Sequence, residues 1–212
     1  MSNQVTEQPD LAKSKRQRII EAAATVFCQD GYTGASIDAV ATKAGVSRQT
    51  IYNHVGDKDG LFKEVVAALT DKAAAKFNDL METFPTKPVD LEAEVIAFSA
   101  RFLNQLTQDK TSRWLLRLAE NEGGRYPDLF TVWREYGSGR KRSVVAAHLS
   151  ELALEGHLEF DDPVLAARQY MALLTAEWRA EFQLGRFPSE EECVRMAERA
   201  AKTFLRAFAR RR

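Results

Sequence analysis

The sequence predicts an all-α protein of about nine helices, with an N-terminal three-helix domain built around a helix-turn-helix and a larger C-terminal helical domain. Three observations predict it. Apolar residues recur at three- and four-residue spacing along most of the chain. Serine or aspartate stands before several of these periodic runs, and glycine follows several of them, as helix caps do. No run of alternating apolar and polar residues and no hairpin dipeptide interrupts the pattern.

Taken in order, residues 1–12 are polar and read as a disordered tail. Ile19, Ala22, Ala23, Val26 and Phe27 then share one helical face, and Gly31 is expected to end that helix as a left-handed cap. Ser36 precedes Ile37, Val40 and Ala41 as an N-cap, Gly45 closes that short helix, and Ser47 caps the next, over about 48–54. Asp57 caps a longer helix carrying Leu61, Phe62, Val65, Val66 and Leu69, which runs to about residue 81 before Pro85 and Pro88. Further helices are expected over about 90–108, 111–122 and 127–156, the last with a kink at Gly137 and Gly139. Asp162-Pro163 starts another that lasts to Gly185, and Ser189 caps the final one, with Glu190–Glu192 in its first turn. The expected domains are therefore 13–60 and 61–212.

Composition bounds the function. Hydrophobic residues are 45% and charged residues 28% of 212, so a folded core is expected. Basic and acidic residues both number 30, so whole-chain charge does not favour a nucleic-acid partner. Locally, Lys13, Lys15, Arg16, Arg18, Lys43, Arg48 and Lys58 outnumber Glu21, Asp30, Asp38 and Asp57 in the first domain. Cys28 and Cys193 stand far apart, and His54, His148 and His157 form no ligand spacing, so neither disulfide, metal nor other cofactor is expected. No apolar segment resembles a signal peptide or approaches a membrane span, so a cytoplasmic protein is expected.

The segment 36–58 carries the functional chemistry. Gly45 permits the positive φ of a tight turn, and Ala41 lets the following helix cross closely. Arg48, Gln49, Thr50, Tyr52, Asn53 and His54 offer donors and acceptors with no carboxylate among them. Arg, Asn and Gln suit base edges in a major groove, whereas hydroxyls and Tyr suit phosphates. Lys58 begins the next helix, where its charge and free backbone amides suit a phosphate.

Residues 16–69, RQRIIEAAATVFCQDGYTGASIDAVATKAGVSRQTIYNHVGDKDGLFKEVVAAL, resemble the N-terminal domain of the TetR family of transcriptional regulators. The helix ending in Phe27, the Gly31-Tyr32 turn, the Ala-Gly-Val-Ser turn, Ile51-Tyr52 and Lys58–Leu61-Phe62 all fall in register. Val55 departs from the family, which usually has Phe there. The resemblance implies that Ser36, Thr50, Tyr52, His54 and Lys58 hold phosphates and that Arg48, Gln49 and Asn53 face bases. The stretch Leu116–Gly185 is similar to the AefR-like branch, which implies a small-molecule pocket between helices and dimerisation through the last two helices.

The residues of the second domain suit both roles. Large apolar side chains at Phe98, Phe102, Trp114, Leu118, Phe130, Trp133, Tyr170 and Trp178, with Arg117, Glu120 and Glu177 near them in sequence, suit an apolar or aromatic ligand. Stripes at Ala167, Met171 and Leu174, and at Ala197, Ala201, Phe204 and Phe208, suit a four-helix dimer interface, or alternatively the domain's own core. A dimer is what a two-fold DNA operator requires. The expectation is a ligand-relieved repressor that binds a palindromic double-stranded operator as a homodimer. No catalytic residues are expected, because no phosphate-binding glycine loop or nucleophile elbow is present. A scaffolding DNA-binding protein without a cavity and a helical protein-interaction module are the remaining alternatives.

Overall fold

The computed structural model describes residues 14–124, 127 and 139–210. Among the described residues are nine helices: α1 (Lys15–Gly34), α2 (Ile37–Ala44), α3 (Arg48–Val55), α4 (Lys58–Met81), α5 (Leu91–Gln108), α6 (Lys110–Glu122), α7 (Arg140–Leu154), α8 (Pro163–Gln183) and α9 (Glu190–Phe208). They form two compact units, divided between Ala68 and Leu69. The helix expected over 127–156 is described from residue 139 onward; Phe130, Trp133 and Gly137 lie outside the described residues, as does the expected N-terminal tail.

The first unit is small, and its core is correspondingly simple. Ile19, Ala23, Val26 and Phe27 of α1 are buried together with Val40 and Ala41 of α2, Ile51 of α3, and Leu61, Phe62 and Val65 of α4. Burial of each larger apolar side chain stabilises the fold by roughly 1.5–3 kcal/mol. The rings of Phe27, Tyr32 and Phe62 gather at one corner: Phe62 meets Phe27 edge-on at 5.0 Å and Tyr32 at 4.8 Å. The start of α4 therefore belongs with the first unit, and the division falls at Ala68 rather than at residue 60.

Gly31 does not end α1. It takes φ 68° but ψ 179°, which is not the left-handed helical cap that was expected. The chain kinks there and makes one more turn to Gly34, closed by the Ala35 N–H donating to the Gly31 carbonyl.

The second unit has one large core. Phe77, Phe98, Leu103, Leu149, Leu152, Tyr170, Leu174, Trp178 and Phe204 are among its buried members. Helix α9 packs on α5 and α8, and α7 packs on α8. Several polar atoms taken into this core are satisfied within it. The Trp178 Nε1–H donates to Thr107 Oγ1 at 2.8 Å, and the hydroxyls of Tyr170 and Ser99 share a 2.7 Å bond. Asp109 joins two helices, ending α5 and capping α6 by accepting from the Ser112 N–H. Burial raises its pKa, but bonds from Lys76 and Ser112 outweigh that and hold its carboxyl below the ordinary 3.8. Past α9 the chain forms a single antiparallel bridge, Leu158 with Ala209, through 2.8 and 3.0 Å backbone bonds. A pairing this short carries no periodic signal in the sequence.

Candidate nucleic-acid interface and a cavity in the second unit

Local capping chemistry builds the helix-turn-helix. The Ser36 hydroxyl accepts from the Ala39 N–H, and the Ser47 hydroxyl accepts from the Thr50 N–H. Between them Gly45 sits at φ 64°, ψ 42°, the left-handed conformation that favours glycine. The Val46 N–H then donates to the Ala41 carbonyl at 3.1 Å, which closes the turn. Ile51 is fully buried and orients α3, so the residues on either side of it point outward.

Arg48, Gln49, Asn53 and His54 are exposed, Thr50 is half-buried, and Tyr52 is 38% exposed. Gln49 Nε2 donates to Asn53 Oδ1 at 2.9 Å, which aligns two amide side chains along one side of α3. The Arg48 guanidinium lies 3.0 Å from Asp38 on α2, and both groups are exposed. Such an exposed pair is worth only about 0–1 kcal/mol, so it orients Arg48 without withholding it from a stronger acceptor. Ser47 and Thr50 share a 2.8 Å hydroxyl bond.

At the next helix start, Asp57 Oδ1 accepts from the Gly60 N–H at 2.7 Å. Gly60 escaped notice in the sequence, yet a Cβ there would lie 2.2 Å from the Val55 carbonyl oxygen. Only glycine lets α4 begin this close to the end of α3. Lys58 is held with its ammonium 4.7 Å above the Tyr32 ring and 3.5 Å from the Thr33 carbonyl. Tyr32 in turn bonds Asp59.

The second unit contains a cavity of about 500 Å³ between α4, α5, α6, α7 and α8. Phe102 and Trp178, two of the residues expected to bind a ligand, line it. Phe98, Leu118 and Tyr170 do not; each is buried, Phe98 against Phe84 and Tyr170 against Phe204. Trp114 and Arg117 are not part of the wall either, and the Arg117 guanidinium lies over the Phe182 ring at 5.1 Å. Of the acidic residues, Glu120 lines the cavity and pairs with Arg179 at 2.9 Å, whereas Glu177 bonds Arg199. Lys141, Arg142 and Thr70 also form the wall. Sequence periodicity passed over them, because the run Arg140–Arg142 looks like a solvated basic patch.

The stripes expected at a dimer interface face inward. Ala167, Leu174, Ala197, Ala201 and Phe204 are buried within the unit's own core, Phe208 packs on Phe204 at 4.9 Å, and Met171 lines the cavity. A hydrophobic stripe marks a buried face but does not say what buries it. The outer face of α8 and α9 instead carries exposed Leu165, Leu173 and Val194, with exposed Ala172, Ala176 and Ala180. Among the described residues no helix is long and apolar enough to cross a membrane, and no cluster of metal-ligating side chains is found.

Known proteins share this arrangement. A family model for bacterial regulatory proteins of the tetR family matches residues 19–65, and one for the C-terminal domain of AefR-like transcriptional repressors matches residues 93–210. The transcriptional regulator UidR of Escherichia coli K12 is 30% identical over 82 residues, which are 39% of this chain and 40% of UidR. The chain thus aligns with less than half the length of that relative. Similarity to solved structures extends much further. A protein assigned to the TetR family of transcriptional regulators from Mesorhizobium loti superposes with TM-score 0.83 at 29% identity, covering 92% of this chain and 96% of that one. The flavonoid-responsive regulator FrrA superposes with TM-score 0.72 at 29% identity, covering 93% and 98%.

Proposed function

Because the chain belongs to the TetR family, whose members are DNA-binding transcriptional regulators, we propose that it is a homodimeric, cytoplasmic repressor that leaves a palindromic operator when a small molecule fills its cavity. The observation that carries the DNA-binding part is α3 itself. It is an exposed, carboxylate-free helix capped by Ser47 and fixed by the fully buried Ile51. Arg48, Gln49 and Asn53 take the base-facing role, and Ser36, Thr50, Tyr52, His54 and Lys58 hold the backbone.

The repressor role and the ligand come from relatives: the matching C-terminal model is of a repressor, and FrrA responds to flavonoids. Helix α4 supports coupling between DNA and ligand. It is continuous from Lys58, beside the end of α3, to Thr70 and Ala73 in the cavity wall. A ligand that binds best to one placement of α4 shifts the population toward it and weakens DNA binding by its differential affinity. Dimerisation uses the outward face of α8 and α9, where Ala172, Ala176 and Ala180 allow close helix approach beside Leu165, Leu173 and Val194.

Selection of bound fragments from a genomic DNA library, with sedimentation of the free protein, tests this reading. Enrichment of a two-fold symmetric motif and a sedimenting dimer are expected. A monomer, or bound fragments sharing no motif, would overturn it.

A further inference from the structure

The cavity wall is apolar in its bulk, with Phe102, Leu106, Leu116, Met171 and Trp178. Among the described residues its charge is nevertheless lopsided: Lys141, Arg142 and Arg179 face one carboxylate, Glu120, and Arg179 already pairs with it at 2.9 Å. Lys141 and Arg142 make no hydrogen bond or ion pair among the described residues.

Lys141 is the informative one, because a mostly buried ammonium with no directly paired carboxylate among the described residues costs far more than an exposed one. Burial pushes its pKa below the ordinary lysine value, and Asp109 opposes this only at a distance. Asp109 is itself committed, 2.6 Å from Lys76 and accepting from the Ser112 N–H. The Lys141 ammonium lies 5.3 Å from the Phe77 ring centroid, a weak substitute for a carboxylate.

A second, independent observation points to the same ligand. Thr70 is buried in the wall, and its Oγ1 has no hydrogen-bond partner. A threonine in a helix ordinarily bonds the carbonyl four residues back, as Thr107 and Thr175 do here. The Thr70 hydroxyl therefore keeps an unused hydrogen at a residue of the cavity wall.

Resting on the reading of this cavity as a ligand site, we infer that its ligand is an apolar or aromatic acid, whose carboxylate or phenolate pairs with Lys141 and accepts from Thr70 Oγ1. Arg142 adds a second positive charge beside the same group. The apolar wall takes the ring or chain, and a volume of about 500 Å³ suits a compact molecule. The same charges, among the described residues, oppose a cationic ligand.

Calorimetric titration of the full chain with 2-naphthoate, and with the uncharged 2-naphthamide, tests the inference. Wild type is expected to bind the acid at least about tenfold more tightly than the amide, the size of one charge-assisted hydrogen bond. Lys141→Met should bring the acid to the level of the amide, and Lys141→Arg should restore most of the preference. Thr70→Val should weaken the acid by roughly two- to tenfold. Equal binding of acid and amide to wild type overturns the inference without any variant, as does failure of both to bind at millimolar concentration. Calorimetry involves no DNA. An acid that binds through Lys141 yet leaves DNA affinity unchanged therefore supports this site and counts against ligand-relieved regulation alone.

Discussion

The first unit carries most of its candidate DNA-contacting side chains outside, on an eight-residue helix, whereas the second sets its candidate ligand-contacting ones in a cavity lined by five helices. Arg48, Gln49 and Asn53 reach solvent while one buried residue, Ile51, fixes their direction. Trp178, by contrast, is at once core and cavity wall. In the first unit, changing function and changing stability are therefore separable. In the second they share residues, and only polar wall groups such as Lys141 and Thr70 separate them.

Substitutions break or sharpen this contrast, beginning with the largest effect. Trp178→Ala removes a fully buried ring stacked 4.9 Å from Phe182 and the hydrogen bond it donates to the Thr107 hydroxyl. A loss of about 3–5 kcal/mol is expected in denaturant unfolding. Gly60→Ala sets a methyl against the Val55 carbonyl oxygen. The start of α4 or the end of α3 must shift, with an expected loss of about 1–3 kcal/mol. Its signature is faster amide exchange confined to the first unit.

Arg48→Ala should do the reverse. It leaves stability within about 0.5 kcal/mol, since the Asp38 pair is exposed. It should cost about 1–3 kcal/mol of operator affinity in a gel-shift titration. If Arg48→Ala unfolds the first unit, the separation drawn here fails.

The smallest effect concerns pH. Asp109 is held below 3.8 by Lys76 and Ser112, so the folded state binds its proton less readily than the unfolded chain does. Its stabilisation is full above the unfolded pKa and is lost as pH falls through the lower folded value. Asp109→Asn should therefore flatten the acid limb of a stability-versus-pH curve below about pH 4 and leave the shape near neutrality unchanged.

What could be read from the sequence divides along the same line. Caps act within three residues, so Ser36, Gly45, Ser47, the Asp162-Pro163 start and the Ser189 box with Glu192 were legible from their neighbours. The exposed polar set on α3 followed from one apolar anchor at Ile51. Tertiary partners were not legible. The Ala197–Phe204 stripe announced burial but not that α5 and α8 supply it within one chain. Likewise Phe98 and Tyr170 have the size of pocket residues, yet they fill the core, while Lys141 enters the cavity wall from a run with no apolar period. Gly60 needed the Val55 carbonyl in three dimensions before its role could be seen.

The most direct test of the account is the ratio of specific to non-specific DNA affinity for the wild type and for a Gln49→Ala, Asn53→Ala double variant. It is measured at one fixed salt concentration on the motif selected from genomic DNA. The account predicts that the variant keeps its non-specific affinity and its stability while the ratio falls about tenfold or more. An unchanged ratio would contradict it, because the bases would then be read by something other than the exposed face of α3.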